Sequence, residues 1–410
     1  MKLGFMHYTF AKDGVYTVVK NNIEGLQHLG MDNICLLAQG IDPSLCLPKN
    51  INTKNVNLLQ TGSHAPRVIA DQLHEKTRDL DTVIIENPTL GIFPHATLGF
   101  LRFARETNKT VVFRAHDLLH KRKEQYQQRY EEAGGNIDTM YPENTPVLAL
   151  TQHDATHLHR LGVKDVHVLA NSLNSQDFQR RHTYGQTRDF LHRRAGIPHD
   201  AHIVFYPGRL IPRKNFEHAI AYAKALEQDG KDAFFLSTLP GEEPYASHLK
   251  KYLQEINVTH AIGSFHAHLD RSSFTLADVY HASDYALTTS LNEGFGYNFL
   301  EPWLADVPIL GRDLPDQTRD FQNSGLDLSH LNQPSFYEGF DFIPGYKKRM
   351  EFFRAVASRK QLQSFVADLE SQKETAMSAR EQNKQAILQQ YHHVTKAQEL
   401  LDIIAKYRTV

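Results

Sequence analysis

Short apolar runs alternate with amphipathic stretches through most of the chain. In the first half, six such runs predict buried β-strands: Leu3 to Met6, Ile34 to Ala38, Val83 to Glu86, Val111 to Arg114, Val147 to Thr151 and Val166 to Ala170. Between them apolar side chains recur at helical spacing, as at Val15, Val19, Ile23 and Leu26. Strands that alternate with helices predict a parallel sheet covered by helices on both faces.

The pattern pauses in a polar stretch at 172–200 and then begins again. Five further strands are predicted at Ile203 to Tyr206, Phe234 to Leu236, Ala261 to Gly263, Tyr285 to Thr288 and Pro308 to Leu310. We therefore predict two Rossmann-like, doubly wound α/β domains, 1–185 and 186–385, followed by a helix over 386–410. Ligands of such sheets bind at the carboxyl ends of the strands, so we expect a site in a cleft between the domains.

The tail of the chain and the overall composition narrow the class of protein. Residues 358–407 contain no glycine or proline, which predicts a long helical tail. The net charge of -2 gives no general attraction to nucleic acid, and no apolar run approaches the roughly 20 residues of a membrane span. Two cysteines and no signal-peptide pattern predict a cytoplasmic protein without a transmembrane segment. The 24 histidines show no metal-site spacing, so no metal is expected. Composition predicts no oligomeric state.

The strongest local pattern is the loop that follows the first strand of the second half. It reads Tyr-Pro-Gly-Arg-Leu-Ile-Pro-Arg-Lys-Asn over 206–215 and carries Arg209 and Lys214 just before a predicted helix. Backbone N–H groups and the helix dipole favour anions at such a position, and two cations add to the attraction. A diphosphate site and a merely solvated basic loop are about equally compatible with this segment alone.

A second pattern places two carboxylates eight residues apart. Glu293 follows the Tyr285 strand and precedes the turn Gly294-Phe295-Gly296, and Glu301 falls at the start of the next helix. A carboxylate can accept from two neighbouring hydroxyls, which suits a ribose or a sugar ring. The alternative for Glu301 is a carboxylate that complements the helix dipole.

Polar residues also end strands in the first half. Arg114, His116 and Asp117 close the Val111 strand, Lys121 and Arg122 follow, and Asp13-Gly14 begins the first helix; an anionic acceptor is one hypothesis for this group. A helix cap at Asp117 and a solvated charged helix over 121–132 are the alternatives. Asp79 and Asp81 form an Asp-x-Asp pattern, but at the amino end of a strand, where a catalytic metal is not expected.

Together, the segments 208–215 and 293–302 resemble the hallmark motifs of glycosyltransferase family four, whose members have the GT-B fold of two facing Rossmann-like domains and retain anomeric configuration. The resemblance implies a nucleotide-sugar donor, a UDP- or GDP-sugar, no cofactor and a final helix that crosses back to the first domain. Two departures are Trp303, where small residues are usual, and the Arg312 to Pro315 turn, where glycine is more common. Both concern selectivity for the donor sugar.

The resemblance also implies roles for individual residues. The catalytic set is His116, Glu293, Arg209 and Lys214. The donor set is Gly14, Arg209, Lys214, Glu293, Gly294, Phe295, Gly296 and Glu301, with the cations at the diphosphate and Glu301 at the ribose. For the acceptor we expect Asp13, Arg114, Asp117, Lys121 and Arg122.

The resulting hypothesis is a retaining hexosyltransferase that acts on a small, soluble, possibly anionic acceptor. Three alternatives stay open. One is a non-catalytic nucleotide-sugar binding protein, one is an enzyme that uses a glycan or lipid-linked acceptor, and one is a phosphorylase of the same fold. The last would need a lysine-bound pyridoxal phosphate, for which the sequence shows no signature.

Overall fold

The protein is described by a computed structural model that covers residues 1–119, 123–263, 265–331, 343, 345–356 and 359–407. Its contacts divide the chain into two compact units. The first comprises Met1–Asn174 with Gln390–Val410, and the second comprises Ser175–Gln389. We describe each unit separately as the first and the second domain.

The first domain is built on a parallel sheet of seven strands in the order β5-β3-β1-β6-β7-β8-β9. Its strands are β1 (Leu3–Met6), β2 (Thr9–Phe10), β3 (Ile34–Ala38), β4 (Gly40–Ile41), β5 (Asn52–Asn55), β6 (Thr82–Glu86), β7 (Thr110–Ala115), β8 (Val147–Ala149) and β9 (Val166–Val168). Strands β2 and β4 pair separately. The helices are α1 (Gly14–His28), α2 (Ala65–Lys76), α3 (Pro94–Glu106), α4 (Lys123–Glu132) and α5 (Gln152–Arg160).

The second domain has a parallel sheet of five strands in the order β12-β11-β10-β13-β14. These are β10 (His202–Phe205), β11 (Ala233–Ser237), β12 (His260–Ile262), β13 (Tyr285–Thr288) and β14 (Ile309–Gly311). The helices are α6 (Tyr184–Ala195), α7 (Phe216–Gln228), α8 (Tyr245–Glu255), α9 (His266–Asp270), α10 (Leu276–His281), α11 (Glu301–Leu304), α12 (Pro315–Asn323), α13 (Tyr346–Val356) and α14 (Arg359–Gln390). The predicted architecture of two Rossmann-like domains is confirmed.

Each of the eleven strands predicted from apolar runs is present, with ends shifted by no more than a few residues. The Val147 strand stops at Ala149 because Thr151 caps α5, its hydroxyl accepting from the Asp154 backbone N–H at 3.1 Å. Strand β5 was not predicted, since Asn-Thr-Lys-Asn carries no apolar side chain. It pairs with β3 at the sheet edge, where backbone hydrogen bonds alone can hold a polar strand.

The domain boundaries differ from those predicted at 185 and 386. Residues 175–185 belong to the second domain because the backbone N–H groups of Arg181 and His182 both donate to the Asp278 carboxylate, at 2.8 and 2.9 Å. The tail is two helices, because α14 ends at Gln390 and a last helix, α15, covers His393–Ala405. Among the described residues, no helix is both long and apolar enough to cross a membrane.

The last helix completes the core of the first domain. Ala397, Leu400 and Ile404 of α15 pack with the buried face of α1 in one apolar cluster. Gly25 permits this close approach, since a Cβ there would lie 2.4 Å from the His393 carbonyl oxygen. The predicted packing of the final helix on the first domain is therefore present.

We expect Gly25→Ala to lower the free energy of unfolding by about 1–3 kcal/mol, the cost typical of overpacking. The new methyl group meets backbone atoms, so the two helices must separate, and this outweighs the higher helix propensity of alanine. Urea denaturation would measure it. Gly14→Ala is the matched control in the same helix, because a Cβ there meets nothing within 4 Å. Equal stability of the Gly25 variant and the wild type would contradict this account of the packing.

Candidate functional site

The loop between β10 and α7 carries three cations, Arg209, Arg213 and Lys214, and we call residues 209–214 the cation turn. Pro212–Lys214 form one turn of 3-10 helix, which ends at Asn215 in the left-handed conformation with φ 53°. Asn215 is buried and donates to the Thr289 carbonyl at 3.1 Å. The Thr289 hydroxyl in turn donates to the Lys214 carbonyl at 3.2 Å. The segment after β13 therefore holds the backbone of the cation turn.

Glu293 lies at the centre of the cations. The Lys214 ammonium nitrogen is 2.5 Å from Glu293 Oε1, and Arg213 Nη1 is 2.9 Å from Oε2. The hydroxyl of Ser290 also donates to Oε1. Burial is the largest single effect and alone would raise the pKa of Glu293, but Lys214, Arg213 and the hydrogen bonds together lower it to about 2. The carboxylate is therefore ionised at neutral pH.

The two cations predicted for the diphosphate differ in their surroundings. Lys214 is largely buried, whereas the side chain of Arg209 is 61% exposed and its Nη1 lies 3.9 Å from Glu242. Arg213, which sequence reasoning did not select, donates both to Glu293 and to the Asn292 carbonyl at 2.9 Å. Its position directly before Lys214 in a basic turn was the signal available in the sequence.

Glu301 has a different electrostatic environment, although it comes from the same motif. It is the first residue of α11 and accepts a hydrogen bond from the Tyr280 hydroxyl at 3.0 Å. Burial raises the pKa of Glu301 to about 7, against the lowering effects of that hydrogen bond and of the Lys214 charge. Because Lys214 influences both carboxylates, it links the two halves of the motif electrostatically.

The turn between the carboxylates combines a left-handed glycine with buried aromatic rings. Gly296 has φ 102°, and a Cβ there would lie 2.7 Å from the Phe299 ring. Phe295 is buried, with its ring centroid 5.3 Å from that of Phe321. The Phe295 ring is thus a packing group, whereas Gly294 beside it is half-buried. Gln317 Nε2 donates to the Glu293 carbonyl at 2.8 Å and was missed by the sequence analysis.

The unusual Trp303 is accommodated in the core of the second domain. It is fully buried, and its indole N–H donates to the Phe299 carbonyl at 3.0 Å. The His330 and Trp303 rings pack at an interplanar angle of 87°, with centroids 5.8 Å apart. This departure from the family pattern is therefore a matter of packing.

In the first domain, three neighbouring strands bring ionisable side chains together at their carboxyl ends. His7 follows β1, Glu86 ends β6 and His116 follows β7. The Nε2 of His116 is 2.5 Å from Glu86 Oε2, and Glu86 is fully buried. His7 Nδ1 bonds the Thr9 carbonyl at 2.7 Å, and burial lowers its pKa, so His7 is neutral at pH 7. His7 and Glu86 were not predicted; both lie at the carboxyl ends of predicted strands.

The residues predicted for the acceptor are only partly placed as expected. Arg114 has zero exposure and donates to Asn171 Oδ1 at 3.2 Å, which does not favour direct contact with an acceptor. Asp13 caps α1 by accepting from the Tyr16 N–H at 2.9 Å, and Gly14 has open space around it. Half-buried Asp117 has its backbone N–H bonded to Asn87 Oδ1 at 3.1 Å. Lys121 and Arg122 lie outside the described residues.

The Asp-x-Asp pattern serves the fold of the first domain. Asp79 Oδ1 is 2.5 Å from the Lys54 ammonium, and Asp81 accepts from the Lys2 backbone N–H at 2.8 Å. Across the residues that the structure describes, no three His, Cys, Asp or Glu side chains are grouped so that they could hold a metal ion.

Replacing Glu301 by Gln should change the pH dependence of stability. The pKa is about 7 in the folded state and near 4.5 in the unfolded chain, so the wild type loses stability as the pH rises between these values. The amide does not ionise. We therefore expect the stability of Glu301→Gln relative to the wild type to increase by about 1–3 kcal/mol from pH 5 to pH 8, measured by urea denaturation.

Glu293→Gln is the control of opposite sign. The pKa of Glu293 is lowered from 4.5 to about 2, so its carboxylate stabilises the fold above pH 4.5. This contribution is lost as the pH falls from 4.5 to about 2. The variant should be less stable than the wild type at pH 7, with a smaller difference near pH 3. The same pH trend in both variants would contradict the two environments described above.

The chain is similar in sequence to a known protein family and to a named relative. The family model "Glycosyl transferases group 1" matches residues 187–324, which include the cation turn, Glu293 and Glu301. The chain is 24% identical over 386 residues to the mannosylglucosylglycerate synthase of Petrotoga mobilis, an alignment that covers 82% of this chain and 88% of that protein.

Solved structures share the fold at low identity. Anabaena HepE in complex with UDP-glucose matches with a TM-score of 0.68 and 13% identity, over 99% of this chain and 100% of that one. The sucrose-phosphate synthase of Thermosynechococcus elongatus matches with a TM-score of 0.67 and 13% identity, over 99% of both chains. From its fold, its motifs and the relatives it matches, we conclude that the chain is a glycosyltransferase with the GT-B fold.

Proposed function

We propose that the protein is a retaining, nucleotide-sugar-dependent hexosyltransferase of family four. The observation that carries the proposal is the contact between Lys214 of the cation turn and Glu293 of the second motif, with Glu301 within the electrostatic reach of the same lysine. Cations suit the donor diphosphate, and carboxylates suit the hydroxyls of the sugar and the ribose. These two chemistries are what a nucleotide-sugar donor requires.

In the proposed reaction, the cations stabilise the charge on the leaving diphosphate. Negative charge develops on the diphosphate as it leaves the sugar, and Lys214 with exposed Arg209 stabilises that charge without a metal ion. The described residues offer no clear enzymic nucleophile, so retention follows a front-face course, in which a phosphate oxygen accepts the proton of the incoming hydroxyl. In this proposal Glu293 contacts the transferred sugar. The family resemblance assigns a catalytic role to His116, which pairs with Glu86 in the first domain.

The proposed acceptor is a small, soluble anion, and the proposed setting is the cytoplasm. The Petrotoga relative is by name a synthase of mannosylglucosylglycerate, a product that contains a glycerate carboxylate. Mannose and glucosylglycerate are therefore the first donor sugar and acceptor to test here. A glycan or lipid-linked acceptor and a non-catalytic binding protein are the alternatives.

A donor-by-acceptor matrix tests the function. The donors are UDP- or GDP-linked glucose or mannose, and the acceptors are glucosylglycerate, glycerate, glucose and a lipid-linked sugar. We expect mass spectrometry to detect one hexose added to an anionic acceptor. Activity should persist in excess chelator, because protein cations replace the metal. The anomeric configuration of the product, read by NMR, should match that of the donor.

Three results of that matrix would contradict the proposal. An inverted anomer would exclude retention, and loss of activity in chelator with rescue by Mg²⁺ or Mn²⁺ would exclude metal independence. Nucleotide-sugar binding with neither transfer nor donor hydrolysis would favour the non-catalytic alternative.

Lys214→Ala should lower kcat/KM by roughly a hundredfold, because a charge-assisted contact to a developing phosphate charge is worth about 3 kcal/mol. Lys224→Ala is the matched control, since Lys224 lies on α7 outside the cation turn and its half-buried ammonium pairs with Glu227 at 3.0 Å. The control should keep kcat/KM within about twofold of wild type, because this ion pair contacts neither the cation turn nor Glu293. Near wild-type kinetics for Lys214→Ala would remove Lys214 from the reaction.

A further inference from the structure

Arg349 is a buried cation of the second domain that the described function does not use. It lies on α13, beyond the 187–324 segment that the family model matches. Only 5% of the residue is exposed. Helix α13 packs on α7, the helix that follows the cation turn, and Phe353 of α13 stacks on His218 of α7 with ring centroids 5.2 Å apart.

The guanidinium of Arg349 forms an ion pair with a carboxylate at the start of α7. Its Nε donates to Glu217 Oε1 at 2.6 Å, and Glu217 has zero exposure. The Tyr245 hydroxyl donates to the other carboxylate oxygen at 2.5 Å and accepts from the Phe216 backbone N–H at 3.1 Å. Both oxygens of Glu217 are thus bonded, and the network includes the first residue of α7.

The same guanidinium also contacts the cation turn directly. Arg349 Nη2 donates to the Pro212 carbonyl at 3.0 Å, and that carbonyl accepts from the Asn215 N–H as well, at 3.2 Å. Pro212 immediately precedes Arg213 and Lys214. One side chain therefore joins α13, the first turn of α7 and the backbone of the cation turn.

The charges around Arg349 indicate that it supports the backbone of the cation turn and does not form a second anion-binding site. Burial raises the pKa of Glu217, and Arg349 and Tyr245 oppose this rise, so the guanidinium is the charged partner that favours the ionised carboxylate at this buried position. The charge of Arg349 is balanced by Glu217, and its burial keeps it from contact with a ligand. Its effect on a ligand must pass through the backbone at Pro212.

We propose that Arg349 is a positioning residue for the donor diphosphate, holding the cation turn in place through Glu217 and the Pro212 carbonyl. This rests on the proposed function, in which that turn binds the diphosphate. It means that a helix beyond the recognisable motifs takes part in donor binding. The loss of Arg349 should weaken contacts to the phosphates more than contacts to the nucleoside.

The test compares a nucleotide with its own nucleoside. Wild-type protein is titrated with UDP and GDP by calorimetry, and the tighter nucleotide is used further. Arg349→Met should raise the Kd of that nucleotide at least tenfold, whereas the Kd of the matching nucleoside, measured by ligand-observed NMR, should change less than threefold. Arg354→Met is the control on the same helix, because Arg354 is exposed and pairs with Glu255 on the surface; it should leave both Kd values unchanged.

A second variant separates positioning from folding. Removing Arg349 alone leaves Glu217 as an unpaired buried charge, which destabilises a protein strongly. Glu217→Gln with Arg349→Met removes both charges and also the donor to Pro212, so it should fold and show the same selective loss. Arg349→Lys, which keeps the charge but not the fork that reaches both acceptors, should recover only part of the affinity.

Each other outcome overturns a defined statement. Wild-type nucleotide affinity in the double variant would overturn the positioning role, as would an equal loss for nucleotide and nucleoside, which indicates general disturbance. If wild-type protein binds neither UDP nor GDP, the proposed function fails and this inference fails with it.

Discussion

The second domain depends on one buried carboxylate that is compensated by two cations. Glu293 is desolvated, a state that an unpaired carboxylate avoids by taking up a proton. Its contacts with Lys214 and Arg213 reverse that tendency and lower its pKa to about 2. Since these partners lie about 80 positions earlier in the chain, the ion cluster fixes the segment after β13 against the turn before α7. The proposed donor chemistry uses the same charges.

Two carboxylates from one motif reach opposite electrostatic states through their neighbours. Glu293 has two cations in contact, whereas Glu301 has a neutral phenol from Tyr280, so burial prevails and raises its pKa to about 7. Glu293 is therefore ionised at neutral pH, whereas Glu301 changes its charge near pH 7. The carboxylates that we propose for the sugar and for the ribose thus respond differently to pH, although both come from one motif.

Three residues from different parts of the chain hold the backbone of the cation turn. Thr289 bonds it from the strand side, Asn215 closes it in a left-handed conformation, and the Arg349 side chain contacts it from α13. A backbone held in this way loses little further freedom when a ligand binds, which is the physical advantage of a preorganised site. In the first domain, the contact between His116 and Glu86 is similarly held by neighbouring strands.

The sequence by itself determined the strand and helix alternation, the two domains and the positions of Lys214, Glu293 and Glu301, because apolar periodicity and short loops are local properties of the chain. The sequence did not predict the polar strand β5, because backbone pairing with β3 decides it. It also did not predict the domain boundary after Asn174, because hydrogen bonds between distant residues decide that.

Only the tertiary structure decided which charges meet. Arg213 and Arg349 contact carboxylates far from them in sequence, and Arg114, expected at an acceptor, is buried. Burial and long-range pairing depend on how the elements pack, and no local pattern encodes them.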